Sequence, residues 1–338
     1  MRIRRRLPVL AGFLLVAAAV ALVVFLRKHA PPEAARLLPS ADGFIYINLR
    51  GLRRANVGAQ LPPVAHEPEY EKFIEATGFQ FERDLDEAAF SIHYPPPAPL
   101  ARVAPEARFS EVFVGKIQGD RFRQYLQKIS STIEKYESDD IYNIPLEGRT
   151  LRVALLGIDT VAASNVDDPE VIRGIITRSR KLASPFGGPA LLRKYYKRIP
   201  ITTRYVPFAS LAWSIFRVEP AANHSTVSPM SLDFLFDKPA VVVASVRALG
   251  GVHVRAEAFT DSDQDAQRVS EQLRTFLTIF HSAEASTSAK EPDPDLKQFF
   301  DSLKVEQNGD RAVLTATAPV ALIRKLTSGE PAGAVAKP

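Results

Sequence analysis

The chain has 338 residues, 46% of them hydrophobic, with 43 Lys+Arg against 38 Asp+Glu, a formal charge of +5 and no cysteine. Such a composition supplies a packed core, and it excludes disulfides, thiol nucleophiles and every cysteine-bearing zinc site. The positive balance does not mark a nucleic-acid binder: taking Arg2, Arg4, Arg5, Arg6, Arg27 and Lys28 from the 43 basic residues leaves 37 against 38 acidic, so the chain beyond Lys28 is close to neutral.

Leu7 to Leu26 reads LPVLAGFLLVAAAVALVVFL, twenty residues without a charge. At ~1.5 Å per residue a helix of that length crosses roughly 30 Å of hydrocarbon. The heavier basic flank precedes it, so the expectation is a single-pass anchor over residues 1–28 with its N-terminus in the cytoplasm and the remainder outside. A cleaved signal peptide is the alternative. Cleavage after Ala19 or Ala21 would leave the new terminus inside the apolar run, which favours the anchor.

Residues 29–39 (HAPPEAARLLP) read as a juxtamembrane spacer. A first α+β half is expected over 40–183. It opens with a strand at Gly43–Leu49, an amphipathic helix at Glu69–Ala76 stopped by Thr77-Gly78, and a strand at Ala88–Tyr94. Residues 95–108 (PPPAPLARVAPEAR) form a proline-rich excursion, either a stiff connector or a partner-docking segment. A strand at Phe109–Ile117 runs into a helix bearing Phe122, Tyr125, Leu126 and Ile129. Three antiparallel strands follow at Ile141–Leu146, Leu151–Leu156 and Thr160–Ser164, and then a helix from Pro169 to Leu182.

Ser184–Pro189 (SPFGGP) breaks the pattern, and a second half is expected over 184–326. It carries a helix at Ala190–Arg198, an extended stretch at Ala209–Val218, and strands at Ser231–Phe236, Ala240–Arg247 and Val252–Phe259. Thr260-Asp261 caps a helix reaching Phe280, with Val269, Leu273, Phe276, Leu277 and Phe280 facing inward. Ser282–Asp295 reads as a loop, followed by a short helix, a hairpin turning at Asn308-Gly309, a helix at Val320–Leu326 and a disordered tail over 327–338. The strand-into-helix unit at 109–129 recurs in kind at 252–280. The fold class is therefore α+β: two halves of similar element order, each of mostly antiparallel sheet with packed helices.

With ADGFIYINLRGLR, TGFQFERDLDEAAF, GKIQGDRFRQYL, GGVHVRAEAFTDSDQDAQRVSEQL and VEQNGDRAVLTATAP in that order, the chain resembles bacterial single-pass membrane-anchored extracytoplasmic proteins of uncharacterised function. The resemblance implies a location and a fold, and it carries over no catalytic residue.

The hydrolase elbow G-x-S-x-G, the P-loop, the dinucleotide G-x-G-x-x-G and the zinc motif H-E-x-x-H are absent, and no two of the six histidines stand at metal-ligand spacing. Asp261-Ser262-Asp263-Gln264-Asp265 opens like a calcium loop, but Ala266 and Gln272 stand where that loop needs Gly and Glu, so a helix N-terminus is expected. Asp84, Asp86 and Glu87 read as solvated turn residues. No catalytic residue, cofactor or metal site is expected.

One stretch departs from the neutral background. Val171 to Arg217 holds ten basic residues and no acidic one. Within it LLRKYYKR places Leu191, Leu192, Tyr195, Tyr196 and Ile199 on one helical face and Arg193, Lys194, Lys197 and Arg198 on the other. The candidate anionic-partner surface is thus Arg193, Lys194, Tyr195, Tyr196, Lys197, Arg198 and Arg204, facing an anionic lipid surface, an acidic envelope polymer or an acidic protein. The competing reading is a solvated face balanced by the acid-rich Glu257–Asp310 segment. The expected function is binding or envelope-structural, without catalysis; the alternative is an envelope hydrolase using carboxylates brought together by the fold.

Overall fold

A computed structural model describes residues 30–54, 66–95, 106–180, 187–199, 210–220, 235–248, 251–287 and 293–328. The expected anchor, most of the proline-rich excursion, Ser184–Phe186, Arg204 and residues 329–338 lie outside the described residues. Among the described residues no helix is long and apolar enough to cross a membrane.

Among the described residues twelve strands form one sheet, and every pairing in it is antiparallel. The fold is α+β. In chain order the strands are β1 (Gly43–Asn48), β2 (Leu85–His93), β3 (Arg108–Gly115), β4 (Thr132–Tyr136), β5 (Asp139–Leu146), β6 (Arg149–Leu155), β7 (Thr160–Ser164), β8 (Ala212–Val218), β9 (Ala240–Ala248), β10 (Val252–Phe259), β11 (Lys304–Asn308) and β12 (Arg311–Ala318). Across the sheet they lie in the order β11-β12-β10-β9-β8-β1-β2-β3-β7-β6-β5-β4.

The first strand is thus central, and it pairs with β8, which lies nearly two-thirds of the way along the chain. On the two sides of that seam the element order is similar, although three strands (β4, β5 and β6) precede β7 on the first side and one (β11) precedes β12 on the second. Three strands form a meander (β1-β2-β3, β8-β9-β10), the third feeds a helix, the last strand returns beside the third (β7 on β3, β12 on β10), and a further helix follows. At the seam Gly43 faces Phe216, and a Cβ at Gly43 would meet the Phe216 ring at 2.3 Å. Only glycine lets the ring lie over the backbone there.

Both faces of the sheet are covered. Tyr46, Ala89, Val112, Ala162, Ala154 and Ile141 share a face through their cross-strand registers, joined by Trp213, Ile215 and Val243 beyond the seam. Over this face lie α1 (Glu33–Leu37), α6 (Glu170–Arg180) and α7 (Ala190–Tyr195), each at its apolar side. Helix α6 contributes Ile172, Ile175 and Ile176, all 0% exposed, because spacings of three and four bring side chains onto one helical face. On the opposite face α5 (Gly119–Ile129) sets Leu126 against Tyr142, Val153 and Val161. At the other end α8 (Asp263–Thr287) sets Val269 against Ala240, Ala258 and Ala312.

Several expectations are corrected. The segment read as a spacer contains α1, whose Ala34, Ala35 and Leu37 are buried in the core; two small residues on one turn let its backbone approach the sheet closely. Two short helices, α2 (Leu49–Arg54) and α4 (Phe81–Asp84), and the edge strand β4 were not expected. Between α2 and α4, the expected amphipathic helix is α3 (Pro68–Thr77), ending at Gly78.

Helix α8 continues through 282–287, which read as loop, and Ser282 there donates to the Thr278 carbonyl at 2.8 Å. Its buried residues, among those described, are Asp265, Ala266, Val269 and Ser270, while Phe276 is 41% exposed. The alanines Ala258 and Ala312 draw only the N-terminal half of the helix down onto the sheet. Ser262, not Thr260 or Asp261, caps it, with its Oγ accepting from the Asp265 amide at 3.2 Å. Of the expected strand at 231–236, Leu235 and Phe236 are described; they lie outside any strand and pack in the core under α8. The last elements are α9 (Pro294–Ser302), the β11–β12 hairpin and α10 (Val320–Ser328).

Burial of Ile175 under the seam-side cluster has a direct test. Ile175→Ala is expected to cost roughly 2–5 kcal/mol in urea unfolding. A loss below about 1 kcal/mol would contradict the packing of α6 on this face.

Candidate functional site

Helix α7 begins where Gly188 (φ +98°) passes Arg36 of α1 and Pro189 sets the entry backbone. A side chain at that φ is strained, so glycine places the start of α7 beside α1. Six residues of helix are followed by a 3-10 turn, Tyr196–Arg198, closed by the Ile199 amide donating to the Tyr196 carbonyl at 2.9 Å. Leu192 is 0% exposed, Tyr196 6% and Ile199 7%. Tyr196 meets Trp213 edge-on at 5.5 Å, and Trp213 stacks on Tyr46 at 5.4 Å. Burial pushes the Tyr196 phenol pKa well up. The apolar side of α7 is thereby locked onto the seam, while Arg193, Lys194, Lys197 and Arg198 remain exposed and Tyr195 is half-buried.

The rest of the basic stretch is spent elsewhere. Arg173 pairs with Glu134 and Glu170, Arg180 with Asp139 (2.6 Å) and Glu137 (3.3 Å), and Arg217 with Asp42 (3.7 Å). The Arg178 Nε donates to the Leu37 carbonyl at the end of α1 (2.8 Å), and burial lowers its guanidinium pKa. Among the described residues, no carboxylate forms an ion pair with Arg193, Lys194, Lys197 or Arg198.

The expected balance from the acid-rich segment is therefore corrected. Glu257 serves Arg255 (2.8 Å) and Arg311 (3.2 Å), Asp265 serves Lys238 (3.0 Å), and Asp293 and Asp295 serve Lys325 (2.8 and 2.6 Å). Strand pairing and the α8 cap spend those charges locally before they can reach α7.

What the sequence did not reveal is the neighbour of α7. Tyr195 meets Phe259 of β10 at 5.1 Å, and the Arg198 guanidinium lies over the same ring, 5.5 Å from its centroid. Arg311 of β12 lies 5.9 Å from that centroid. Arg255, Glu257 and Phe259 alternate along β10, so one polar sheet face was legible by its period of two; its contact with a helix some sixty residues upstream was not.

Asp84 and Asp86, expected as solvated turn residues, are buried, and Glu87 beside them is half-buried. Asp86 is 5% exposed and pairs with both Arg50 and Arg53, the latter at 2.6 Å. Asp84 is 7% exposed, bonded to Arg83 at 2.6 Å and to the Gln80 amide at 3.0 Å. The Arg50 hydrogen bond holds the Asp86 pKa below the usual carboxylate range, and Arg83 does the same for Asp84. The signal was the i, i+3 spacing of Arg50 and Arg53, which needed α2 to be recognised.

Among the described residues the one carboxyl pushed up is Glu111 on β3, by burial. Ser91 and His93 come nearest to a nucleophile and base, at 3.4 Å, but Ser91 is 0% exposed and its hydroxyl donates to the Ser110 carbonyl, so it faces no substrate. Among the described residues no group of three His, Asp or Glu is placed to hold a metal ion. An open cleft of 350 Å³ beside β6 is lined by Arg149, Arg152 and Asp167, but its arginines are engaged: Arg149 with Glu106, Arg152 with the Val166 carbonyl.

No protein-family model matches the chain, and no curated protein matches it in sequence. Among solved structures it is similar to crystal forms IV, III and I of TP0453, at 9%, 9% and 11% identity and TM-scores of 0.44, 0.46 and 0.43. Each match covers 88% of this chain and 98%, 99% and 98% of the other. A likeness of that degree is a weak fold-level resemblance and says nothing about chemistry.

Two carboxyl groups make opposite predictions. The depressed Asp86 pKa contributes stability above the unfolded value of about 3.9 that is lost as pH falls through the folded value. The raised Glu111 pKa contributes stability below about 4.3 that is lost as pH rises through its folded value. Asp86→Asn is therefore expected to lower Tm at pH 7 and to converge on wild type in acid, whereas Glu111→Gln raises Tm at pH 7 and matches wild type near pH 3.5. Parallel shifts at every pH would refute both assignments.

Proposed function

We propose that this protein is a single-pass, membrane-anchored extracytoplasmic protein with a binding or envelope-structural role and no catalysis of its own, docking on anionic lipid headgroups through Arg193, Lys194, Lys197 and Arg198. The observation that carries the reading is the set of four exposed cations, ion-paired to no described carboxylate, on a helix whose other side is fixed in the core. A charged face serving solvation alone is usually interspersed with opposite charge; this one is not.

Chain length favours lipid over a polymer or a soluble partner. Six residues separate Leu26, the end of the apolar run, from Glu33, the start of α1. Fully extended they span about 20 Å. Helix α1 in turn abuts the start of α7 at Arg36 and Gly188. An anchor in the bacterial cytoplasmic membrane would therefore hold α7 within a short reach of the outer leaflet, where high local concentration makes weak contacts effective. Tyr195 beside the cations suits the headgroup level.

A chain beginning at Ala30 keeps every described element and allows vesicle co-sedimentation without the apolar run. The quadruple variant R193E/K194E/K197E/R198E is expected to lose at least about 100-fold in partitioning onto phosphatidylglycerol vesicles, at roughly 1 kcal/mol per cation near an anionic surface. Unchanged partitioning by a variant with the wild-type circular dichroism spectrum would sink the reading.

A further inference from the structure

Two guanidinium groups from distant parts of the chain share one aromatic ring. Arg198 ends the 3-10 turn after α7 and Arg311 opens β12, yet both lie within 6 Å of the Phe259 centroid, at 5.5 and 5.9 Å. They are therefore no farther apart than those two distances added. Two like charges brought to one ring repel, the more strongly the nearer they lie, and an anion between or beside them relieves that repulsion.

The local charges leave a surplus. Glu257, 6% exposed, is shared by Arg255 and Arg311, one carboxylate for two guanidiniums, and Arg198 adds a third cation with no described carboxylate of its own. Asp310 approaches Arg311 only at 3.9 Å, and its side chain is 60% exposed, so water screens much of its effect. The buried carboxylate also fixes geometry. Bonded on one side to Glu257, Arg311 keeps its remaining N–H donors for a ligand, and its side chain is 22% exposed, open enough to be reached. Tyr195, edge-on to Phe259 at 5.1 Å, continues the apolar floor.

We propose that Arg198 and Arg311, both set against Phe259 and the latter held by Glu257, form a subsite for a phosphate monoester. Three terminal oxygens and a charge near −2 let such a group accept from both guanidiniums at once, and forked donors are suited to that contact. The source is either the headgroup of a phosphatidic-acid-like lipid or a free phosphate. For the lipid source the proposal rests on the docking reading above; for free phosphate it stands independently.

The test uses the full chain in mild non-ionic detergent. Inorganic phosphate is expected to raise the wild-type Tm by about 2 °C or more over chloride at equal ionic strength. The same rise is expected in Lys135→Gln, which removes an exposed cation at the far edge of the sheet, and it is lost in Arg198→Gln and in Arg311→Gln. Arg198 lies on an exposed turn, so its variant tests the site even where Arg311→Gln perturbs folding. No rise in wild type, or an equal rise in all four proteins, overturns the proposal.

Micelles doped with phosphatidic acid or phosphatidylglycerol then separate the sources. Stabilisation by phosphatidic acid at least about fivefold more effective than by phosphatidylglycerol supports the lipid, and stabilisation by phosphate with no lipid preference supports the free ion. Should the quadruple variant keep its vesicle binding while Arg311→Gln loses the phosphate effect, the docking reading falls and the subsite stands. The reverse pair of results does the opposite.

Discussion

The antiparallel pairing of β1 with β8 is the contact on which the remaining structure depends. It joins the strands of both stretches into one twelve-stranded sheet, and it sets Tyr46 against Trp213 in a stack at 5.4 Å. Tyr196 then closes on Trp213 from α7 at 5.5 Å. Backbone ladder, aromatic stack and helix are thus coupled through one side chain. Aromatic pairs in such arrangements contribute about 0.5–1.5 kcal/mol beyond their area burial. Their larger consequence is positional: the residues that anchor α7 also decide which way its cations point.

Charge is the second organising constraint. Arg50 and Arg53 of α2 are turned onto Asp86, the arginines of α6 onto Glu134, Asp139 and the end of α1, and the acidic segment around α8 onto Lys238 and Lys325. Buried carboxylates demand such partners because an unpaired charge in the interior costs several kcal/mol. Against that background of local pairing, α7 stands out as cationic surface that the described carboxylates leave open. Phe259 and Arg311 extend it across the sheet. A net charge read over the whole chain conceals this, since most of the excess sits in the first 28 residues.

Much of the local structure was legible where it depended on neighbours in sequence. The strands β1, β9 and β12, the Asn308-Gly309 turn and the i, i+3, i+4 spacing in α6 and α7 all follow from residues close in sequence. Of the apolar face expected from 191–199, Leu192, Tyr196 and Ile199 are buried and Leu191 and Tyr195 half-buried. The misreadings share a cause. Helix α1 was taken for a spacer because five residues offer no helical period to detect, and its burial comes from β2, β3 and α6. Asp86 was taken for a solvated turn because its partners, Arg50 and Arg53, sit 36 and 33 residues away. Phe276 was assigned to the core from spacing alone, but the sheet beneath α8 admits only that helix's first half.

From the sequence by itself came the α+β class, the near-neutral charge beyond Lys28 and the two-sided character of residues 190–199, because these are properties of composition and of one chain segment. That the sheet is continuous through β1 and β8, that the acidic segment is spent on other cations than those of α7, and that Arg198 and Arg311 converge on the Phe259 ring were decided only by tertiary structure. The strand pairing and the shared ring join residues more than a hundred positions apart, and most of the acidic segment's partners lie dozens of positions away. Such pairings are selected by packing and electrostatics among many compatible alternatives, and a local pattern carries no record of which one is chosen.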